Sequence, residues 1–256
     1  MQPALFVSHG APTLALEDTP TTRFLERWGE AEPRPDAIIV ISAHWQSHGL
    51  LIGSAPQPAT IHDFGGFPRV LYTLNYPART DAGRVSQLRQ LLAAQGFEVA
   101  EDAVRGLDHG AWTPLMRLYP QADIPVINLS LPANLDEAGL RSLGRALRPL
   151  RAENVLIMAS GSYTHNLWMM QPDGSAPPAW ALEFADWVDQ RLLQRQDDML
   201  DAWATQAPHA LQAHPSDEHF LPLFIALGAA SDGIAPRRVH DDWRFGGLSM
   251  AIWRFD

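Results

Sequence analysis

The chain has 256 residues, 46% of them apolar, a formal net charge of -10 at pH 7 and a pI near 5.4. That size suffices to bury one α/β core, and the acidic balance argues against a nucleic-acid partner, whose phosphates attract clustered cations. There is no Cys, and all 19 basic residues are Arg. Disulfides, iron–sulfur clusters, Cys-ligated zinc, thiolate nucleophiles, lysine Schiff bases and P-loop lysines are thereby excluded.

Histidines and carboxylates remain for chemistry. The N-terminus, MQPALFVSHG, has no basic segment ahead of a long apolar run, and no uninterrupted apolar stretch reaches the ~18 residues needed to span a bilayer. The expectation is a soluble, cytoplasmic protein with no membrane partner.

In chain order, apolar runs rich in β-branched residues at Ala4–Val7, Ala37–Ser42, Leu50–Gly53, Pro125–Leu129, Asn154–Ala159 and Leu248–Trp253 predict strands. Helical periodicity falls between them at Thr22–Trp28, Ala82–Ala94, Leu135–Leu150 and Ala179–Arg195. This alternation predicts a single α/β domain over residues 1–256, with a central mixed, mostly parallel sheet and helices on both faces. Pro and Gly concentrate in 53–68 and 171–178, which read as active-site loops or covers.

Three histidines follow predicted strands: His9 after ALFVS, His44 after AIIVISA and His165 shortly after NVLIMASGS. Ligands of open α/β sheets collect beyond the carboxyl ends of the strands, so these imidazoles are expected to converge. Neutral imidazole is a common metal ligand, and a divalent cation removes the repulsion that protonated histidines would suffer in one pocket. His219 lies in HPSDEHFLPLF, where Ser216 could cap a helix from Asp217 or Pro222 could mark a later start. The two registers aim its ring differently.

His109 sits between Gly106 and Gly110 with a helix expected behind it, and His62 lies beside a similar Gly-rich turn. His214 could support the following helix by hydrogen bonding. His48, His209 and His240 read as structural or exposed, and Trp45 stands out among nine Trp because it adjoins His44.

The ordered segments SHGAPTLAL, SAHWQS, TIHDFGGFP, GLDHGAWTPL, SGSYTHNL and HPSDEHFLPL together resemble the class III extradiol dioxygenases, on their single-domain DOPA 4,5-dioxygenase branch. The resemblance runs from about residue 5 to residue 250. It implies an enzyme that opens the ring of a catechol with O2, using Fe(II) for catalysis, with Zn(II) in purified material. On matching positions it implies His9, His44 and His219 as metal ligands and His165 as the acid/base histidine, itself within reach of the metal. His109 would be a second catalytic histidine that hydrogen-bonds substrate or oxygen. Glu218 is an alternative to His219, because some relatives use a carboxylate there.

If the catechol carries a carboxylate, an Arg must pair with it, and Arg69 is the candidate. The rival readings are a zinc-dependent hydrolase and a non-catalytic binding protein on the same fold. A monomer and a small homo-oligomer fit the chain equally.

Overall fold

The structure, a computed structural model, describes all 256 residues. Ten strands form: β1 (Ala4–Ser8), β2 (Ala37–Ser47), β3 (Leu50–Gly53), β4 (Val99–Asp102), β5 (Val126–Pro132), β6 (Val155–Gly161), β7 (Arg237–His240), β8 (Trp243–Arg244), β9 (Leu248–Ser249) and β10 (Ile252–Phe255). Eight of them make one sheet in the order β4-β3-β5-β2-β6-β1-β10-β7, and β8 and β9 pair separately.

The centre of the sheet, β5-β2-β6-β1, is parallel throughout, while β3 and β10 join it antiparallel on either side. Five helices of at least ten residues pack around it: α1 (Pro20–Ala31), α2 (Ala82–Ala94), α3 (His109–Leu118), α4 (Glu137–Leu147) and α5 (Ala179–Leu193). Four shorter ones follow, α6 (Asp197–Asp201), α7 (Trp203–Gln206), α8 (Ala210–Ala213) and α9 (Pro222–Ala229).

The period-2 geometry of a strand explains the two cores. In β2, Ile39 and Ile41 face α2, α4, α5 and α9, whereas Ile38 and Val40 face α1 and α3. β1 divides in the same way, Phe6 to the first core and Leu5 and Val7 to the second. Because both faces are covered, these strands read as unbroken apolar runs. The α/β expectation, with helices on both faces of a mostly parallel sheet, holds.

Local differences from the sequence reading have physical causes. The run Leu248–Trp253 is split: Met250 donates to the carbonyl of Asp242 and Ala251 to the Ser249 hydroxyl, which turns the chain between β9 and β10. The helix expected over Leu135–Leu150 starts at the Asp136 cap, whose carboxylate accepts from Gly139, and tightens into a 3-10 turn at Arg148–Glu153, which contains Pro149. β4 and β7 lack an apolar pattern because they are the outer strands of the sheet. No helix is long and apolar enough to cross a membrane.

Candidate metal centre

The carboxyl ends of β1, β6 and β2, three adjacent parallel strands, meet at one point. His9 follows β1 directly, its backbone N–H held by the carbonyl of Gly161 at 3.0 Å. His44 lies inside β2 rather than after it, because the strand runs on to Ser47. The register against β5 slips between Ile41 and Gln46, and this irregularity carries His44. β2 advances five residues, Ile41 to Gln46, while β5 advances two, Leu129 to Leu131, and such a bulge bends the strand and re-aims its side chains, His44 towards His9.

His219 arrives from the other end of the chain, on a turn that precedes α9. Pro222 occupies the first helical position, so of the two registers the later one forms, and Ser216 bonds Glu218 instead of capping a helix. The His219 carbonyl accepts from Ser162 N at 2.8 Å. This contact needs Gly161, where a Cβ would fall 2.1 Å from that same carbonyl oxygen. Gly110 serves the same end on α3: a Cβ there would stand 2.4 Å from Ser42 Oγ and 2.9 Å from His44.

The Nε2 atom of His44 lies 3.0 Å from that of His9 and 3.3 Å from that of His219. The other nitrogen of each ring decides what these contacts are. His9 Nδ1 is 3.0 Å from Ser160 Oγ, whose own proton goes to the carbonyl of Gly110, so His9 is the donor. His219 Nδ1 donates to Glu218 Oε1 at 2.7 Å, and His44 Nδ1 faces Asp63 Oδ2 at 3.5 Å. If His44 carries its ring proton on Nδ1 as His9 and His219 do, three Nε2 lone pairs point at one another, an arrangement that repels unless a cation sits among them. The partners behind the rings have the form of a metal site's outer layer, with a carboxylate or hydroxyl facing each Nδ1. The donor set therefore fits a divalent metal.

Burial, and then the neighbouring histidines, push His44 down to about 3 and His9 well below its ordinary value, which keeps both rings neutral and able to ligate. The hydrogen bond from His219 pulls the Glu218 carboxyl down to about 2 against the effect of burial.

Asp63, which sequence reasoning passed over, ties two of these rings together. Its Oδ1 accepts from the backbone N–H of His109 at 2.9 Å and lies 3.0 Å from His109 Nδ1, while Oδ2 faces His44. Burial raises the Asp63 carboxyl, but the hydrogen bonds and charge of His109 outweigh it and hold it at about 2. Its place in the Gly-rich TIHDFGG loop, one residue from His62, was the available signal. His109 itself opens α3, whose cap Asp108 is buried and bonded by Ser42 and Arg105.

His165 stacks face to face on His219, and burial, with His219 and His214 adding to it, pushes it down to about 3. His9, His44, His109, His165 and His219 all line one cavity of about 460 Å³, walled by Phe64, Phe67, Leu167, Met170, Phe245 and Leu248. Of the two Pro/Gly loops, the first supplies part of that wall through Phe64 and Phe67, whereas no residue of 171–178 lines it.

Other sequence candidates lie elsewhere. His62 bonds the carbonyl of Leu74, Trp45 packs under Arg105, and His214 is buried against Phe184, Trp203 and Phe220. His48 is exposed, His209 pairs with Glu183, and His240 stacks on Phe24. Arg69, the expected carboxylate partner, is exposed on a 3-10 turn and takes no part in the cavity wall.

Convergent imidazoles at the carboxyl edge of a parallel sheet, opening into an apolar cavity, have the form of a metal-dependent enzyme's active site. Over residues 3–255 the chain matches the family described as the catalytic LigB subunit of aromatic ring-opening dioxygenase, and it belongs to that family. It is 42% identical to a 4,5-DOPA dioxygenase extradiol of Beta vulgaris, with 98% of this chain and 95% of the relative covered. It is 38% identical to a protein of the same name from Escherichia coli K12, at 97% and 92% coverage. An uncharacterised Escherichia coli K12 protein of known crystal structure superposes with a TM-score of 0.84 and 31% identity over the whole of both chains. The chain is thus an aromatic ring-opening dioxygenase, one of a metal-dependent class of oxidoreductases.

Proposed function

We propose that the chain, acting as one catalytic domain over residues 1–256, opens the ring of a DOPA-like or other dihydroxyphenyl substrate in the extradiol manner. His9, His44 and His219 would hold the metal, Fe(II) for catalysis, with Zn(II) the expected occupant of purified protein. The observation that carries this reading is the set of three Nε2 atoms converging on one point at the floor of an apolar cavity. A bound Fe(II) ion would supply the Lewis acidity and the path for electrons that let a catechol and dioxygen react.

The protein's own residues do the rest. Phe64, Phe67 and Phe245 hold an aromatic ring and exclude water. His165, neutral at pH 7, accepts a proton from a catechol hydroxyl at the floor of the cavity and returns it later in the cycle. His109, held by Asp63, offers a hydrogen bond to developing negative charge on oxygen. Glu218 and Ser160 keep the ring nitrogens of His219 and His9 in the ligating tautomer. A small catechol and O2 are the only partners the cavity requires. A cytoplasmic location, the expectation from the sequence, is part of this proposal.

The test is anaerobic reconstitution with Fe(II), then oxygen uptake and visible absorbance with DOPA, protocatechuate and caffeate. Stoichiometric uptake with a yellow ring-opened product is expected with at least one of the three. Fully loaded protein that consumes no oxygen with any catechol would return the hydrolase and binding-protein readings to the front.

A further inference from the structure

The cavity that holds the histidines carries one carboxylate, Glu17, and no guanidinium. The cation paired with Glu17, Arg244, also holds a second carboxylate: Nη1 bonds Glu17 Oε2 at 2.8 Å and Nε bonds Asp173 Oδ1 at 2.8 Å, with the guanidinium over the Phe245 ring. The two carboxylates outweigh burial and raise the pKa of Arg244, so it stays charged. One cation between two anions leaves the Glu17–Arg244–Asp173 cluster with one net negative charge. Glu17 Oε1 accepts no hydrogen bond and Glu17 is part of the cavity wall, so an acceptor is open to whatever extends from a ring bound at the floor.

From this we infer that the enzyme selects catechols whose side chain ends in an ammonium group, received by Glu17, and discriminates against those whose side chain ends only in a carboxylate. The inference rests on the ring-opening reading above and adds the side-chain charge to it. An ammonium donates to Glu17 and neutralises that cluster. A lone carboxylate brings a second negative charge next to it and finds no free guanidinium, since the chain has no Lys and Arg69 lies outside the cavity wall. Arg244 acts as a positioning residue that fixes the Glu17 carboxylate, and its charge is already offset by Glu17 and Asp173.

The experiment compares three catechols that differ only at the position para to one hydroxyl: 4-methylcatechol, 4-(2-aminoethyl)catechol and 4-(2-carboxyethyl)catechol. Oxygen uptake by the Fe(II)-loaded protein gives kcat/KM for each. Calorimetry on Zn(II)-loaded protein under nitrogen gives dissociation constants without turnover. The amine is expected to exceed the acid by about tenfold or more in both measurements, a ratio that shrinks as salt is raised. Glu17→Gln should bring the amine-to-acid ratio close to unity, and Glu17→Asp, which keeps the charge, should leave it above unity. An acid that matches or beats the amine, or a preference that survives Glu17→Gln, overturns the inference while turnover of 4-methylcatechol still upholds ring opening. If none of the three catechols is bound or opened, the ring-opening reading fails and this inference falls with it.

Discussion

The imidazole of His165 lies flat against that of His219, with ring centroids 3.5 Å apart and planes within 10° of each other. A nitrogen lone pair lies in the plane of its ring, so two parallel stacked rings cannot both aim at one ion with good geometry. If His219 ligates the metal, His165 is left free to move protons. His165→Phe should therefore keep its metal while turnover falls by about 10²–10⁴-fold, the scale of a lost acid–base group. His219→Ala should lose the metal. Metal content by elemental analysis beside oxygen uptake separates the two, and a metal-free His165→Phe protein would make His165 a ligand after all.

Glu218 is adjacent to His219 and bonds its Nδ1. Acting from behind the ring, it should tune metal affinity without being indispensable to it. Glu218→Gln is expected to weaken metal binding by about 10–100-fold, read by chelator competition. Complete loss of the ion would instead place the carboxylate among the ligands.

Gly110 and Gly161 let backbone pass within van der Waals range of the histidine cluster. Alanine at Gly110 would drive a methyl group into Ser42 and His44. We expect about 1–3 kcal/mol of destabilisation in urea titrations, together with weakened metal binding. Unchanged stability and unchanged metal content in Gly110→Ala would mean that the cluster is looser than the close approach implies.

Acid should unfold the metal-free protein early. His44, His165 and His214 are each pushed to about 3 when folded, burial being the first cause in every case. Their unfolded values are near 6.5, so below that pH the unfolded chain binds protons that the folded chain refuses. Stability is full above about pH 6.5 and is lost as pH falls towards 3, by up to about 1.4 kcal/mol per pH unit for each histidine kept neutral. Urea midpoints at pH 7 and pH 5 would read this, and a midpoint that does not fall at pH 5 would contradict the burial of these rings.

Much of the fold was legible because its signals are local. The runs ALFV, AIIVI and VLIMA are apolar at every position, as strands covered on both faces must be. β4 and β7 carry no such signal, since an outer strand answers to its neighbour and to solvent.

The sequence by itself determined which chemistry was possible: no thiolate, no lysine, and histidines placed just past, or near the end of, strands that a parallel sheet would bring together. Tertiary structure alone decided which atoms face each other. The slip in β2 aims His44 at His9, the turn before Pro222 sends His219 Nε2 inward and Nδ1 to Glu218, and the Gly-rich loop folds Asp63 between His44 and His109. These relationships join residues up to 175 positions apart. Their geometry depends on how whole elements pack, and a side chain's direction is set by that packing rather than by its immediate neighbours in the chain.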